Sequence, residues 1–110
     1  VSGPGSPSVL SNMIVTIEQH VNWIMDCLDT MQARQTATIE ATETASSDWV
    51  KAGNAIAAGT LFPTCNSWYL GANVPGKPRI FMPYVGGFPS YVEICENVKR
   101  EGYPGFVFSN

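Results

Sequence analysis

Residues 3–23 read GPGSPSVLSNMIVTIEQHVNW, a proline- and glycine-rich loop that runs directly into the longest apolar-periodic segment of the chain. Steps of three and four residues place six apolar side chains on one stripe of a helix. They are Ile14, Ile17, Val21, Ile24, Leu28 and Met31. We therefore predict a long helix whose stripe faces a core. Ser11 and Asn12 precede it and can accept hydrogen bonds from the unpaired amides of its first turn.

The loop before this helix has little conformational freedom. Pro4 and Pro7 fix their own φ and push the preceding residues toward extended geometry, while Gly5 can adopt conformations closed to other residues. A helix start held in this way presents free N–H groups and a partial positive charge of about half a unit, which suits a phosphate, a carboxylate or an electron-rich ring edge. The alternative is that the loop only separates two elements.

The run GPGSPSVLSNM, followed by a helix containing IEQHVNW, resembles the Baeyer-Villiger monooxygenases of the phenylacetone and cyclohexanone monooxygenase type. In that family this loop and helix close the FAD-binding domain, with the helix start against the pyrimidine end of the flavin. The resemblance implies that Met13 contacts the flavin through its backbone amide, with Ser11 and Asn12 beside it. It also implies that Val9 and Leu10 lie on the loop that lines the ketone pocket.

Residues 63–79, PTCNSWYLGANVPGKPR, fit neither the helical nor the strand period. Irregular segments beyond about 12 to 15 residues are uncommon unless they are functional or disordered. Because Trp68, Tyr69 and Leu70 gain by burial, we predict a loop that docks and undocks. From the residues alone, a core role and a ligand role for Trp68 are equally supported.

Within this segment, SWYLGANVPGKPR resembles the mobile control loop of the same family. There, a tryptophan at the place of Trp68 reaches the nicotinamide-side ribose of NADP when the loop closes. An indole offers a flat apolar face for the sugar and one N–H donor for a hydroxyl. We interpret Lys77 and Arg79 as structural or solvated, since the family reads the 2′-phosphate with residues from elsewhere.

Weaker patterns predict the remaining elements. Thr38–Glu40 is expected to be extended, and a second helix is expected to start near Ala41 or Thr42 and to end at a left-handed cap on Gly59. This helix carries Trp49, which we interpret as a core anchor rather than a ligand-stacking residue.

Toward the C-terminus, residues 80–85 are interrupted by a proline and predict at most an edge or irregular strand. Ser90 and Glu93 form a capping box that predicts a third helix, and residues 106–108 predict a strand. The runs VGGFPSY and EGYPGFVF also resemble the end of the same family, so the likeness covers nearly the whole chain.

Composition narrows the possible partners. The chain has 110 residues, 45% of them hydrophobic, and a net charge of -3, which is ordinary for one soluble domain. Its six basic residues are scattered, so no nucleic-acid partner is expected. No run approaches the length of about 20 apolar residues that a membrane helix needs, so no membrane association is expected.

Cysteine and histidine usage points to no metal and no nucleophilic site. Cys27, Cys65 and Cys95 are odd in number and form no CxxC pair, so neither a disulfide framework nor zinc is supported, and a cytoplasmic protein fits best. His20, the single histidine, lies within the predicted helix without a partner nucleophile, and we interpret it as a structural hydrogen-bonding residue.

Together these patterns predict part of an α/β flavoprotein with two dinucleotide-binding domains, mainly helical here, with a long irregular loop and short strands. We expect residues 1–35 to end the FAD-binding domain and residues 36–110 to form the C-terminal region. The start Val-Ser-Gly-Pro, without Met, reads as a piece of something longer.

Resemblance implies that the intact enzyme uses NADPH, FAD and O2 to convert ketones to esters or lactones. No GxGxxG fingerprint follows a strand in this sequence, and no candidate catalytic residue is present, so the chain alone is not expected to be active. Two alternatives remain: a non-catalytic helical interaction module, and a related flavin monooxygenase acting on amines or sulfides.

Overall fold

The computed structural model describes residues 1–8 and 10–110 of the chain. Within these residues it forms three α-helices, two short strands and two single-turn 3₁₀ helices. In chain order the elements are α1 (Met13–Arg34), β1 (Thr38–Ala41), α2 (Glu43–Ala58), the 3₁₀ turns Phe62–Thr64 and Trp68–Leu70, α3 (Phe88–Arg100) and β2 (Phe106–Ser109).

The predicted first helix is confirmed, but its buried face is not the predicted one. Ile14 is 77% exposed and Leu28 is 49% exposed, whereas Thr16, His20 and Cys27 are buried. At 3.6 residues per turn the buried face lies about 100° round the helix from the apolar stripe. The prediction that the stripe faces a core is therefore wrong within this chain, because the described residues pack on the neighbouring face.

Helix α1 is fixed against α3 by polar and aromatic contacts. The indole N–H of Trp23 donates to the Cys95 carbonyl at 2.9 Å, and the Lys99 ammonium lies 2.8 Å from an Asp26 carboxylate oxygen. The ring of Trp23 meets the Tyr103 ring edge-on, with centroids 5.4 Å apart. These contacts bring the C-terminal part of the chain onto the first helix.

The strands β1 and β2 form a two-stranded antiparallel sheet in the described part of the chain, with Ile39 opposite Phe108 and Ala41 opposite Phe106. The extended pieces predicted near residues 38–40 and 106–108 are thus confirmed. The Arg34 guanidinium lies 4.4 Å from the centre of the Phe108 ring, which joins the end of α1 to the sheet.

A second packing centre lies between α2 and the segment that follows it. Ala57, Leu70 and Phe81 are buried together, with Phe62 and Tyr69 packed around them. The small side chain of Ala57, which is 1% exposed, lets this segment approach α2 closely.

Two predicted helix ends are corrected. Gly59 does cap α2, and its amide bonds to carbonyls of the last turn, but with φ −79° it is not in the predicted left-handed conformation. Helix α3 begins at Phe88, with Gly87 as its N-cap and a proline in its first turn, so the predicted capping box is wrong. The Ser90 hydroxyl instead lies 2.9 Å from the Tyr84 hydroxyl.

Residues 80–85 form no strand, in line with the irregular geometry predicted for them. The three cysteines are free, with Cys27 buried and Cys65 exposed. Over the residues described, no helix is both long enough and apolar enough to cross a membrane.

Two glycines provide a matched test of this fold. Gly105 has φ +84°, and an added Cβ would lie 2.8 Å from the Ala45 Cβ, whereas an added Cβ at Gly53 in α2 meets nothing within 4 Å. Gly105→Ala is expected to lower the free energy of unfolding by about 1 to 2 kcal/mol, and Gly53→Ala to raise it by about 0.5 to 1 kcal/mol. Denaturant titration of both variants measures this, and equal effects would contradict the packing of Gly105 on α2.

Candidate functional site

The N-terminal loop, residues 3–7, is held from two directions. The indole N–H of Trp49 donates to the Gly5 carbonyl at 3.1 Å, and the backbone N–H of Tyr84 donates to the Ser6 carbonyl at 3.3 Å. Ser6 and Pro7 are buried. A Cβ on residue 5 would lie 2.8 Å from the Trp49 indole nitrogen, so this close approach requires glycine.

The rings of Trp49 and Tyr84 stack on each other, with centroids 5.4 Å apart and planes 10° apart. Tyr91 of α3 contacts both of them. Trp49 is only partly buried, but its packing on both tyrosine rings agrees with the anchoring role predicted for it, and its bond to Gly5 holds the loop that leads to α1.

At the start of α1 the cap satisfies some amides and leaves others. The Asn12 side-chain oxygen accepts from Ile14 N–H at 3.0 Å and from Val15 N–H at 3.4 Å, which confirms the cap. The Asn12 carbonyl accepts from Thr16. Among the described residues, no acceptor is bonded to the amide of Met13, the first residue of the helix. This N–H remains available to a ligand.

The two residues before the cap, Leu10 and Ser11, have environments that are unusual for either a core or a surface position. Leu10 is 86% exposed and has φ +64°, a conformation that costs energy for a non-glycine residue. The Ser11 hydroxyl is buried and has no hydrogen-bond partner among the described residues, so the capping role predicted for Ser11 is wrong and Asn12 alone caps the helix. Val9, the other predicted pocket residue, lies outside the described residues.

Trp68 lies in a second loop, residues 62–79, called here the Trp68 loop. Its side chain is 61% exposed and stacks on Tyr69, with ring centroids 4.0 Å apart. The Trp23 and Trp49 indoles donate to backbone carbonyls, whereas the Trp68 indole N–H has no acceptor in the described part of the chain. A large aromatic face and a free donor are therefore presented together.

The exposed basic residues of this loop serve its own structure. Arg79 donates to the Asn66 side chain at 3.0 Å and to the Cys65 carbonyl at 2.8 Å, and the Lys77 stem lies against Gly71. Both agree with the structural or solvated role predicted for them.

The structure brings Leu10, Ser11, Asn12 and Met13 together at one helix start but does not place Trp68 beside them. In the described residues the two parts are joined indirectly, through residues 80–84. We call residues 80–84 the connector segment.

Sequence reasoning did not single out Asn54, which binds this segment. The available signal was an asparagine inside a helix, where its propensity is poor.

A buried polar cluster lies beneath the N-terminal loop. The His20 ring nitrogens lie 3.1 Å from the Val1 carbonyl and 3.1 Å from the Tyr91 hydroxyl, which confirms the structural role predicted for His20. Burial raises the pKa of Tyr91 and the pKa of the Cys95 thiol, so both groups are neutral at physiological pH. This cluster supports the fold rather than acid-base chemistry.

Metal binding finds no support in the residues that the structure describes: no three His, Cys, Asp or Glu side chains come together there.

Comparison with known proteins adds to this geometry. The cyclohexanone 1,2-monooxygenase of Acinetobacter sp. is 38% identical to this chain over 106 residues. The acetone monooxygenase (methyl acetate-forming) of Gordonia sp. (strain TY-5) is 36% identical over 107 residues. A Baeyer-Villiger monooxygenase of Pseudooceanicola batsensis is also 36% identical over 107 residues. The matches cover 96% or 97% of this chain and 19% or 20% of each relative.

The chain is a homologue of the C-terminal part of Baeyer-Villiger monooxygenases. It spans about a fifth of the length of these relatives. No protein-family model matches the chain.

Solved structures agree with this assignment to Baeyer-Villiger monooxygenases. An oxidized steroid monooxygenase bound to NADP superposes with a TM-score of 0.88 and 44% identity, covering 99% of this chain and 20% of that one. A cyclohexanone monooxygenase of Rhodococcus sp. Phi1 bound to NADP+ has a TM-score of 0.86 and 34% identity, covering 98% of this chain and 20% of that one. The backbone arrangement described above therefore also occurs in larger enzymes of this family.

The Asn12 cap is open to a direct test. Asn12→Ala removes the acceptor for two amides and is expected to lower the free energy of unfolding by about 1 kcal/mol. Asn12→Ser retains a cap and is the matched control, with a loss of only a few tenths. Thermal unfolding of both variants measures the difference, and indistinguishable variants would show that the Asn12 bonds do not stabilise α1.

Proposed function

We propose that the chain is part of an FAD- and NADPH-dependent Baeyer-Villiger monooxygenase that inserts one oxygen atom of O2 into ketones to give esters or lactones. The observation that carries the proposal is the start of α1, where the Met13 amide is unpaired and the Ser11 hydroxyl is buried without a partner among the described residues. The close similarity to named monooxygenases over nearly the whole chain supports it.

The domain arrangement is part of this proposal. We assign residues 1–35 to the end of the FAD-binding domain and residues 36–110 to the C-terminal region of an α/β flavoprotein with two dinucleotide-binding domains. The exposed apolar stripe of α1 supports this assignment, since Ile14, Val21 and Leu28 would lose unfavourable exposure against the rest of that domain. Because the three cysteines show no disulfide pattern, we also propose that the protein is cytoplasmic.

The start of α1 has the chemistry to hold a flavin ring edge. The Met13 N–H is a backbone donor in the first turn, the Ser11 hydroxyl is a second polar group, and Asn12 caps the turn that carries them. The partial positive charge of a helix N-terminus stabilises negative charge on a reduced ring. When bound, FAD supplies the redox and oxygen chemistry that no side chain of the chain provides.

Trp68 is the group proposed to bind NADP. Its exposed indole can lie on the ribose, and its N–H can donate to a ribose hydroxyl. The 3₁₀ turn that carries it is short and lies in an irregular loop, so the side chain can approach the cofactor without moving a helix.

Leu10 and Val9 are proposed to line the ketone pocket. Leu10 is almost fully exposed directly before the helix start, so its side chain is available to contact a substrate next to the flavin. An apolar side chain at this place also excludes water from the reacting ketone.

Turnover by the full-length protein tests the proposed function. The purified protein is expected to show a flavin absorption band and to oxidise NADPH in a ketone-dependent manner with an ester or lactone product. Oxidation of an amine or sulfide without ketone turnover would favour the neighbouring monooxygenase class. Absence of bound flavin and of all turnover would favour the non-catalytic interaction module.

Substitution of Trp68 tests the NADP role. In the full-length enzyme, Trp68→Ala is expected to raise the KM for NADPH by about tenfold or more, because about 1.5 kcal/mol of stacking and hydrogen bonding is lost. FAD content is expected to stay normal.

Val74→Ala is the matched control, since Val74 is an exposed apolar residue on the same loop. Equal kinetics for Trp68→Ala and the wild type would remove Trp68 from the NADP site.

Substitution of Leu10 tests the pocket. Leu10→Ala is expected to change the ratio of kcat/KM for a bulky and a small ketone by about tenfold or more, since removed methyl groups in an apolar pocket are each worth about 1 kcal/mol or more. Val107→Ala, at an exposed position on β2, is the control and is expected to leave the ratio unchanged. A substrate profile of Leu10→Ala identical to the wild type would contradict the assignment.

A further inference from the structure

The connector segment, residues 80–84, touches both parts of the proposed cofactor site. At its start, Ile80 N–H donates to the Leu70 carbonyl at 3.3 Å and Met82 N–H donates to the Tyr69 carbonyl at 3.1 Å. At its end, Tyr84 N–H donates to the Ser6 carbonyl of the N-terminal loop. One stretch of five residues therefore hydrogen-bonds to both loops.

A single side chain of α2 fixes the middle of this segment. The Asn54 oxygen accepts from Phe81 N–H at 2.9 Å, and the Asn54 amide nitrogen donates to the Phe81 carbonyl at 3.3 Å. This pair satisfies both backbone groups of Phe81, as a neighbouring strand would. Because Phe81 is only 2% exposed, these groups are costly to leave unpaired.

The position of Trp68 depends on this segment. Trp68 stacks on Tyr69, the Tyr69 carbonyl is bonded to Met82, and the Tyr69 ring lies 6.2 Å from the Phe81 ring. Loss of the Asn54 bonds would release Phe81, and with it the support beneath Tyr69 and Trp68.

We propose that Asn54 is a positioning residue that clamps the connector segment and so holds the Trp68 loop in register with the N-terminal loop that precedes α1. This inference rests on the proposed function, which assigns NADP to the Trp68 loop and FAD to the helix start that follows the N-terminal loop. Asn54 acts through Phe81 and Tyr69 and touches neither ligand.

Limited trypsin digestion tests the clamp in the full-length protein. The Lys77–Pro78 bond resists trypsin because proline follows it, so the bond between Arg79 and Ile80 reports release of the connector segment. Asn54→Ala is expected to increase cleavage there about tenfold, since cleavage tracks the open population and both bonds to Phe81 are lost. Asn54 also donates to the Val50 carbonyl within α2, and the better helix propensity of alanine offsets the loss of that bond.

Two further variants serve as comparisons for Asn54→Ala. Asn54→Asp keeps an acceptor for the Phe81 N–H but places a carboxylate oxygen, instead of a donor, against the Phe81 carbonyl, so cleavage is expected to rise in this variant as well. Asn97→Ala removes an asparagine whose side-chain bond lies within α3, and it is expected to leave cleavage unchanged. Equal cleavage of Asn54→Ala and the wild type would overturn the clamp.

Kinetics of the same variants test the coupling. Asn54→Ala is expected to raise the KM for NADPH about fivefold while FAD content and kcat at saturating NADPH stay at the wild-type level. In a Trp68→Ala background the same change is expected to add nothing, because both substitutions act on one interaction.

Increased cleavage with an unchanged KM, or additive effects in the double variant, would overturn the coupling. A wild-type protein without flavin or ketone turnover would instead contradict the proposed function, so the two failures are distinct.

Discussion

The carbonyls of Gly5 and Ser6 are the point on which the rest of the arrangement depends. One accepts from the Trp49 indole of α2 and the other from the Tyr84 amide at the end of the connector segment. Because Gly5 lies against the indole without a Cβ and Ser6 is buried, the loop has one well-defined path into α1. The direction of the first helical amides follows from that path, and with it the place where the proposed flavin ring would meet them.

The two faces of α1 have different surroundings in this chain. Thr16, His20 and Cys27 face the described residues, while Ile14 and Leu28 face outward. A helix with apolar side chains on so much of its surface is typical of an interior helix in a large domain. The exposed stripe therefore agrees with a chain that spans about a fifth of the length of its relatives.

Sequence patterns predicted the element types well, because the long periods in α1 and α2 and the strand propensity near Phe108 are local signals. They failed where tertiary contacts decide. The α1 stripe reads as a core face, yet the choice of face depends on contacts between distant segments. Ser90 forms a hydrogen bond with Tyr84 instead of capping α3, and no local pattern marks such a contact.

The candidate site, too, was predictable from the sequence only in part. The capping role of Asn12 followed from its residue type and position. The proposed flavin, ketone and NADP contacts depended on the family resemblance, because a free amide or an exposed indole does not identify its ligand. For Asn54 the only local signal was an asparagine within a helix, which does not say what its side chain binds. Its two bonds to Phe81 exist only once the connector segment has returned to α2, 27 residues further along the chain.

If the connector segment couples the proposed NADP-binding and flavin-binding parts, ligand binding at one part is transmitted to the other. Backbone hydrogen exchange of the full-length protein, measured with and without NADP+, tests this coupling. We expect NADP+ to slow exchange at residues 68–71, at residues 80–84 and at Ser6 together, because local opening of these segments is coupled. Protection confined to residues 68–71, with unchanged exchange at Tyr84 and Ser6, would contradict it.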